Sequence, residues 1–208
     1  SENELNFTNE KPYVIYGYAA VPENSILSIN KGARIHFHSN SGILVTNGAS
    51  IHINGEFSEN QETLENEVIF EGDRLETSFE NTPGQWGTIW LFKGSVNNLI
   101  NYLTIKNSTI GIYSEGYLNS TNQLIINNSK IFNSSNFGIL AKSSSVSASN
   151  LVINKSGQSS FAATYGGNYN LTHCTITNFW NNSFRQFPSL LVNNYWLNNE
   201  DEIVSNPN

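Results

Sequence analysis

From Ile26 to Gly55 apolar and polar residues alternate, and the pattern restarts every eight positions: LSINKGAR, IHFHSNSG, ILVTNGAS, IHINGEFS. Alternation at period two predicts strands with one buried face, carried by the pairs Leu27/Ile29, Ile35/Phe37, Ile43/Val45 and Ile51/Ile53. Between them, NKGA, SNSG, TNGA and NGE are turn segments that suit positive φ. Strands this short and evenly spaced predict a single-stranded solenoid with three strands to a coil of about 24 residues.

The second half repeats at a compatible period. Ile105, Ile131, Ile153 and Ile176 are separated by 26, 22 and 23 residues, and two residues after each comes Asn107, Asn133, Lys155 or Asn178. Stacked coils place these positions above one another, so Asn107 and Asn133 are expected to form an amide ladder at a corner, with Lys155 interrupting it. The expected architecture is all-β, a right-handed parallel β-helix of about seven coils, right-handed because crossovers between parallel strands strongly prefer that hand. A β-sandwich also accommodates regularly spaced short strands, but the octads and the recurring isoleucines favour the solenoid.

Composition agrees. Asn makes up about a sixth of the 208 residues, Met is absent, and Asn and Ser draw backbone hydrogen bonds away from helices and into turns. A single domain over residues 1–208 is expected, with 1–20 as an N-terminal cap, 56–83 as a loop-rich acidic insertion and 197–208 as a polar tail. The lone Cys174 reads as a small core residue. No apolar run is long enough for a transmembrane helix, and no signal-peptide pattern opens the chain.

Charge singles out one region. Nine of the acids lie between Glu56 and Glu80 against Arg74 alone, −8 within one segment, while the whole chain carries −7. Lys and Arg are otherwise scattered singly, so no basic face for nucleic acid is expected. Glu71, Asp73 and Arg74, in FEGDR, are therefore candidate site residues. Their structural alternative is a solvated corner loop, with Arg74 paired to nearby carboxylates and pinning the insertion.

A catalytic reading meets a compositional obstacle. Glycoside hydrolysis uses two positioned carboxylates and calcium-dependent lyase chemistry uses several acids, yet between Asn81 and Asn199 the only acid is Glu115. Paired carboxylates are thus absent from the regular coils, and an enzyme site would be confined to the stretch Glu71 to Trp90. No metal or other cofactor is expected: His36, His38 and His52 alternate with inward residues and so face solvent, without a zinc-ligand motif. The sequons at Asn107, Asn119 and Asn133 arise by chance in a chain this rich in Asn and Ser.

After the Pro83-Gly84 turn, QWGTIWL reads as a returning strand. Strict alternation places Trp86, Thr88 and Trp90 on one face. Either the tryptophans are buried, or they form an aromatic platform for sugar stacking or protein contact.

The segments PYVIYG, LSINKGARIHFHSNSGILV, FEGDRLE, PGQWGTIW and NNLINYLTIKNSTIGIY together resemble a family of right-handed β-helix surface proteins and lipoproteins from Bacteroidota, whose members have no assigned reaction. The resemblance covers residues 12 to 140, and GDR with PGQW is its most specific part. It implies a pectin-lyase-like solenoid at the bacterial cell-envelope exterior or secreted, with a lipid anchor outside this chain. It carries over no catalytic residues, and Glu71 stands where a more basic residue is expected. The combined expectation is a non-catalytic β-helix with an interaction or structural role, contacting a polysaccharide or an envelope protein through Glu71, Asp73, Arg74, Trp86 and Trp90. The alternatives are a lyase-like carbohydrate-active enzyme with its site near Glu71 to Trp90, and a subunit of a larger envelope assembly with an apolar patch near Leu190 to Trp196.

Overall fold

In a computed structural model, which describes residues 5–117, 123–197 and 202–206, the octads close into the coils they predict. Strands β1 (Asn6–Phe7), β2 (Tyr13–Ile15) and β3 (Tyr18–Val21) make the first coil, and β4 (Ile26–Asn30), β5 (Arg34–Phe37) and β6 (Gly42–Val45) the second. The third contains β7 (Ser50–Asn54), β8 (Val68–Gly72) and β9 (Ile89–Leu91); the fourth β10 (Asn98–Asn101), β11 (Leu103–Lys106) and β12 (Ile110–Glu115). Beyond them, β13 (Leu124–Ser134), β14 (Phe137–Ser156) and β15 (Phe161–Thr172) turn corners without breaking, and β16 (Thr175–Ile176) and β17 (Leu190–Val192) complete a seventh coil. Every coil pairs in parallel with the next, giving one continuous 17-stranded sheet wrapped into a solenoid, and β18 (Tyr195–Leu197) with β19 (Ile203–Ser205) adds an antiparallel hairpin.

Three faces result, each a column of equivalent strands. On the first, Phe7, Ile29, Ile53, Ile100, Ile126, Ala148 and Leu171 stack in register. On the second the stack is Tyr13, Ile35, Phe70, Ile105, Ile131, Ile153 and Ile176. These inward ladders are the core, and each interior aliphatic contributes about 1.5–3 kcal/mol by leaving water. All eight inward residues of the octads are buried.

Corners are turned by single residues in the left-handed region. Asn107, Asn133 and Lys155 have φ of 61°, 61° and 56°, and Asn128 and Asn150 occupy a second corner at 51° and 53°. Asn tolerates this conformation better than other branched or bulky residues. The expected ladder is present: Asn133 Nδ2 donates to Asn107 Oδ1 at 2.6 Å, and Lys155 ends the run of amides. A parallel ladder at the other corner links Asn150 to Asn128 and Asn128 to Asn101, each at 2.9 Å.

The ends differ from expectation. Residues 6–21 are not a separate cap but the first coil itself, its strands in register with the second and its Phe7 and Tyr13 rings stacked at 4.2 Å. At the other end Leu190 and Val192 stand in register with the buried Phe161 and Ala163, yet are 49% and 68% exposed, with no further coil over them among the described residues. Leu190, Val192 and Tyr195 are thus exposed in the stretch where an apolar patch was expected, while the side chain of Trp196 and residues 198–201 and 207–208 of the tail lie outside the described residues. Cys174 is half-buried against the core, as a small apolar residue would be.

Candidate functional site

The acidic region is two excursions rather than one insertion. Residues 55–67 leave the solenoid between β7 and β8, and residues 73–88 leave it between β8 and β9, so both corners of the third coil bulge while β8 holds its place in the stack. The first excursion is held by Arg34, a residue that charge counting along the sequence passes over. Its guanidinium donates to the carbonyls of Thr63, Leu64 and Glu67 at 3.1, 2.8 and 2.8 Å, and Ser58 Oγ accepts from the amides of Asn66 and Glu67. Burial pushes the Arg34 guanidinium below its ordinary pKa, opposed by the nearby charges of Glu71, Glu67 and Glu65. Three hydrogen bonds from one guanidinium to the backbone carbonyls of one loop make this a structural role.

The second excursion closes on PGQW. Gln85 Nε2 donates to the carbonyls of Phe79 and Thr82, the Gln85 amide donates to Asn107 O, and Asn107 Nδ2 donates to Glu80 O. Gln85 packs flat on the backbone of Gly72, where a Cβ would run into its side chain, which accounts for the glycine in EGD. Arg74, expected to pin the insertion, does not. It is exposed, pairs in a forked contact with Glu76 at 3.1–3.2 Å, and lies 4.0 Å over the Phe79 ring, so it stiffens only the 3-10 turn Thr77–Phe79.

The outward positions of β8 meet the second face. Register sets His36 beside Glu71, with Nδ1 3.7 Å from the carboxylate, and Lys106 Nζ approaches Glu71 from the fourth coil at 3.9 Å. His36 points outward as alternation requires, but its side chain is only 13% exposed and Nδ1 has no hydrogen-bond partner. Two residues on, His38 Nδ1 and Asp73 Oδ2 are 2.7 Å apart with the Tyr16 ring against the histidine. His52 lies on the first face, in register with Ser28 and Leu99, away from this cluster. Glu71 and Asp73 are thus each joined to a histidine of the second coil.

From Glu71 a trough continues along the stack. One depression of about 260 Å³ is lined by Glu71, Arg74, Glu80, Gln85, Lys106 and Asn107 among others, and a second of about 210 Å³ adds Phe132, Asn133, Asn154 and Lys155. They share Glu80, Lys106 and Asn107, so the two run on from the third coil to the sixth. Lys106, Phe132 and Asn154 stand in register on successive coils, and the Asn107–Asn133 ladder forms the adjoining corner. Outside the trough, Glu67 is a buried carboxylate that accepts from two residues of the same strands, Thr104 Oγ1 at 2.8 Å and Lys130 Nζ at 2.9 Å.

The tryptophans part company. Trp86 is 1% exposed, stacks on Phe37 at 4.2 Å and donates Nε1 to Lys106 O, so it is core and cannot offer a ligand surface. Trp90 faces outward on the third face in register with Tyr113, the rings 5.5 Å apart. Strict alternation put both on one side, but β9 begins only at Ile89, and the irregular stretch before it shifts the phase. Glu115 ties the outer pair together, accepting from Trp90 Nε1 at 2.9 Å and from Tyr113 OH at 2.7 Å. Burial, then the neighbouring Glu115, raises the Tyr113 phenol above its ordinary pKa, so it remains a donor.

Among the described residues no group of three His, Cys, Asp or Glu side chains is arranged to hold a metal ion, and no helix is long and apolar enough to cross a membrane. The trough residues Lys106, Phe132 and Asn154 were not anticipated, although the 22–26-residue stacking period that placed Asn107, Asn133 and Lys155 above one another would have found them one position earlier. Comparison with protein-family models, with curated proteins and with solved structures finds no match.

Proposed function

We propose that the chain is a non-catalytic binding solenoid of the bacterial cell exterior, whose second face takes an extended polysaccharide along the trough. The observation that carries this reading is the register of Lys106, Phe132 and Asn154 beside the Asn107–Asn133 ladder. Coils about 4.8 Å apart repeat side chains along the stack axis, so a polymer lying along it meets a cation, an aromatic face and an amide in turn. Amides and ammonium groups satisfy sugar hydroxyls with charge-assisted and neutral hydrogen bonds. The Bacteroidota resemblance supports the location.

A polysaccharide array tests it. Retention of at least one extended polysaccharide is expected, weakened by Phe132→Ala and Lys155→Ala, with no reducing ends or unsaturated products released. Failure to retain any polysaccharide would sink the reading. A second, enzymatic reading draws on Glu71, Glu80 and Lys106 lining one depression. Product release abolished by Glu71→Gln would establish it instead.

A further inference from the structure

On the third face, away from the trough, Glu115 poses a separate question. It is the only acid between residues 81 and 199, yet both its oxygens are engaged, one by Trp90 and one by Tyr113. A carboxylate has about four acceptor positions, so each oxygen keeps one more. Its chain neighbours open into a depression of about 440 Å³, lined also by Lys93, Tyr117, Lys142, Ser143 and Tyr165. That volume is within the range of small-ligand sites.

The polar groups around it are mixed in sign. Glu115 and Lys142 are register partners on adjacent coils, and Lys93 Nζ stands 4.4 Å over the Tyr117 ring, which is half exposed. A ligand of net negative charge meets the carboxylate, and a cation meets two ammonium groups. A neutral polyol avoids both conflicts, because neighbouring hydroxyls donate to a carboxylate while their lone pairs accept from an ammonium. The half-exposed Tyr117 ring, with Lys93 over one side, adds an apolar surface against which the C–H face of a sugar ring packs.

We infer that this depression is a binding site for a single neutral pyranose unit, with Glu115 and Lys93 holding its hydroxyls and Tyr117 its ring face. The site lies on a different face from the trough, so each can fail without the other. The test uses the full chain and a panel of neutral methyl pyranosides, read by saturation-transfer NMR, with free amino acids as a zwitterionic control. Saturation transfer to at least one pyranoside is expected. Its affinity should fall about tenfold in Lys93→Ala and in Glu115→Gln, each removing one charge-assisted bond, with Tm unchanged in Lys93→Ala and with Lys155→Ala binding as the parent does. Lys93 is exposed, so its variant remains informative if Glu115→Gln loosens the aromatic pair. No transfer to any pyranoside, undiminished binding in Lys93→Ala, or binding of amino acids alone would each overturn the inference.

Discussion

The third and fifth coils contain the same three strand positions and differ only at their corners. In the fifth, β13 passes from the first face to the second on one left-handed residue, Asn128, and the amides of neighbouring corners bond to each other. In the third, both corners open into excursions whose backbones meet the neighbouring coils only near their roots, and side chains add partners further out: Arg34 and Ser58 for one, Gln85 and Asn107 for the other. A tight corner is therefore stabilised by repetition, an open one by individual residues, and the two should respond differently to substitution.

The largest effect is expected at the root of the second excursion. Trp86→Ala removes a buried ring stacked on Phe37 and should cost about 3–5 kcal/mol in chemical denaturation. Next, Arg34→Ala removes the guanidinium from three loop carbonyls, of which Leu64 O keeps the Glu67 amide. Allowing for its partial exposure, a loss of about 1–2 kcal/mol is expected, accompanied by new proteolytic cleavage within 55–67. At a tight corner, Asn133→Ala puts alanine, which tolerates φ 61° less well than asparagine, at that position and breaks the ladder, for about 1–2 kcal/mol, while Asn133→Gly should recover part of it because glycine adopts that φ freely. Equal stabilities for the Ala and Gly variants would contradict the conformational part of this explanation.

Acid should loosen the excursions before the coils. Glu76 is held below the ordinary carboxylate value of 4.5 by Arg74, and Glu65 by backbone amides, its own first. Both lowered values mean stability that is present above 4.5 and lost as the pH falls through the folded values. Protection of the amides in 55–67, measured against their intrinsic exchange rates, should therefore fall below about pH 4.5 while that of β13 and β14 does not, and the change in 73–82 should be slight because the Glu76–Arg74 pair is solvent-exposed. The smallest effect belongs to Arg74→Ala, which should leave Tm unchanged because its pair with Glu76 is solvent-exposed.

These contrasts also mark what the sequence could disclose. Ile29, Ile53, Ile105 and Ile131 were legible because burial on a strand follows a period of two, and the stacking of Asn107 on Asn133 because coils repeat at nearly constant length. The roles of Arg34 and Arg74 were not, since a long cationic side chain finds its acceptors through the folded path of a loop that has no period. Trp86 and Trp90 were separated by an irregular step before β9, which alternation cannot register. Of the proposed sites, Glu71 and Asp73 were visible as charge, whereas the trough needed the coils to be laid side by side.

The contact of Glu67 with Thr104 and Lys130 has a mechanical consequence. One carboxylate from the third coil grips residues of the fourth and the fifth, so it spans two successive coil-to-coil junctions. Pulled from either end, a stack of nearest-neighbour units unzips one layer at a time; at this clamp, layers three to five must part together, and a force trace should show its tallest step there.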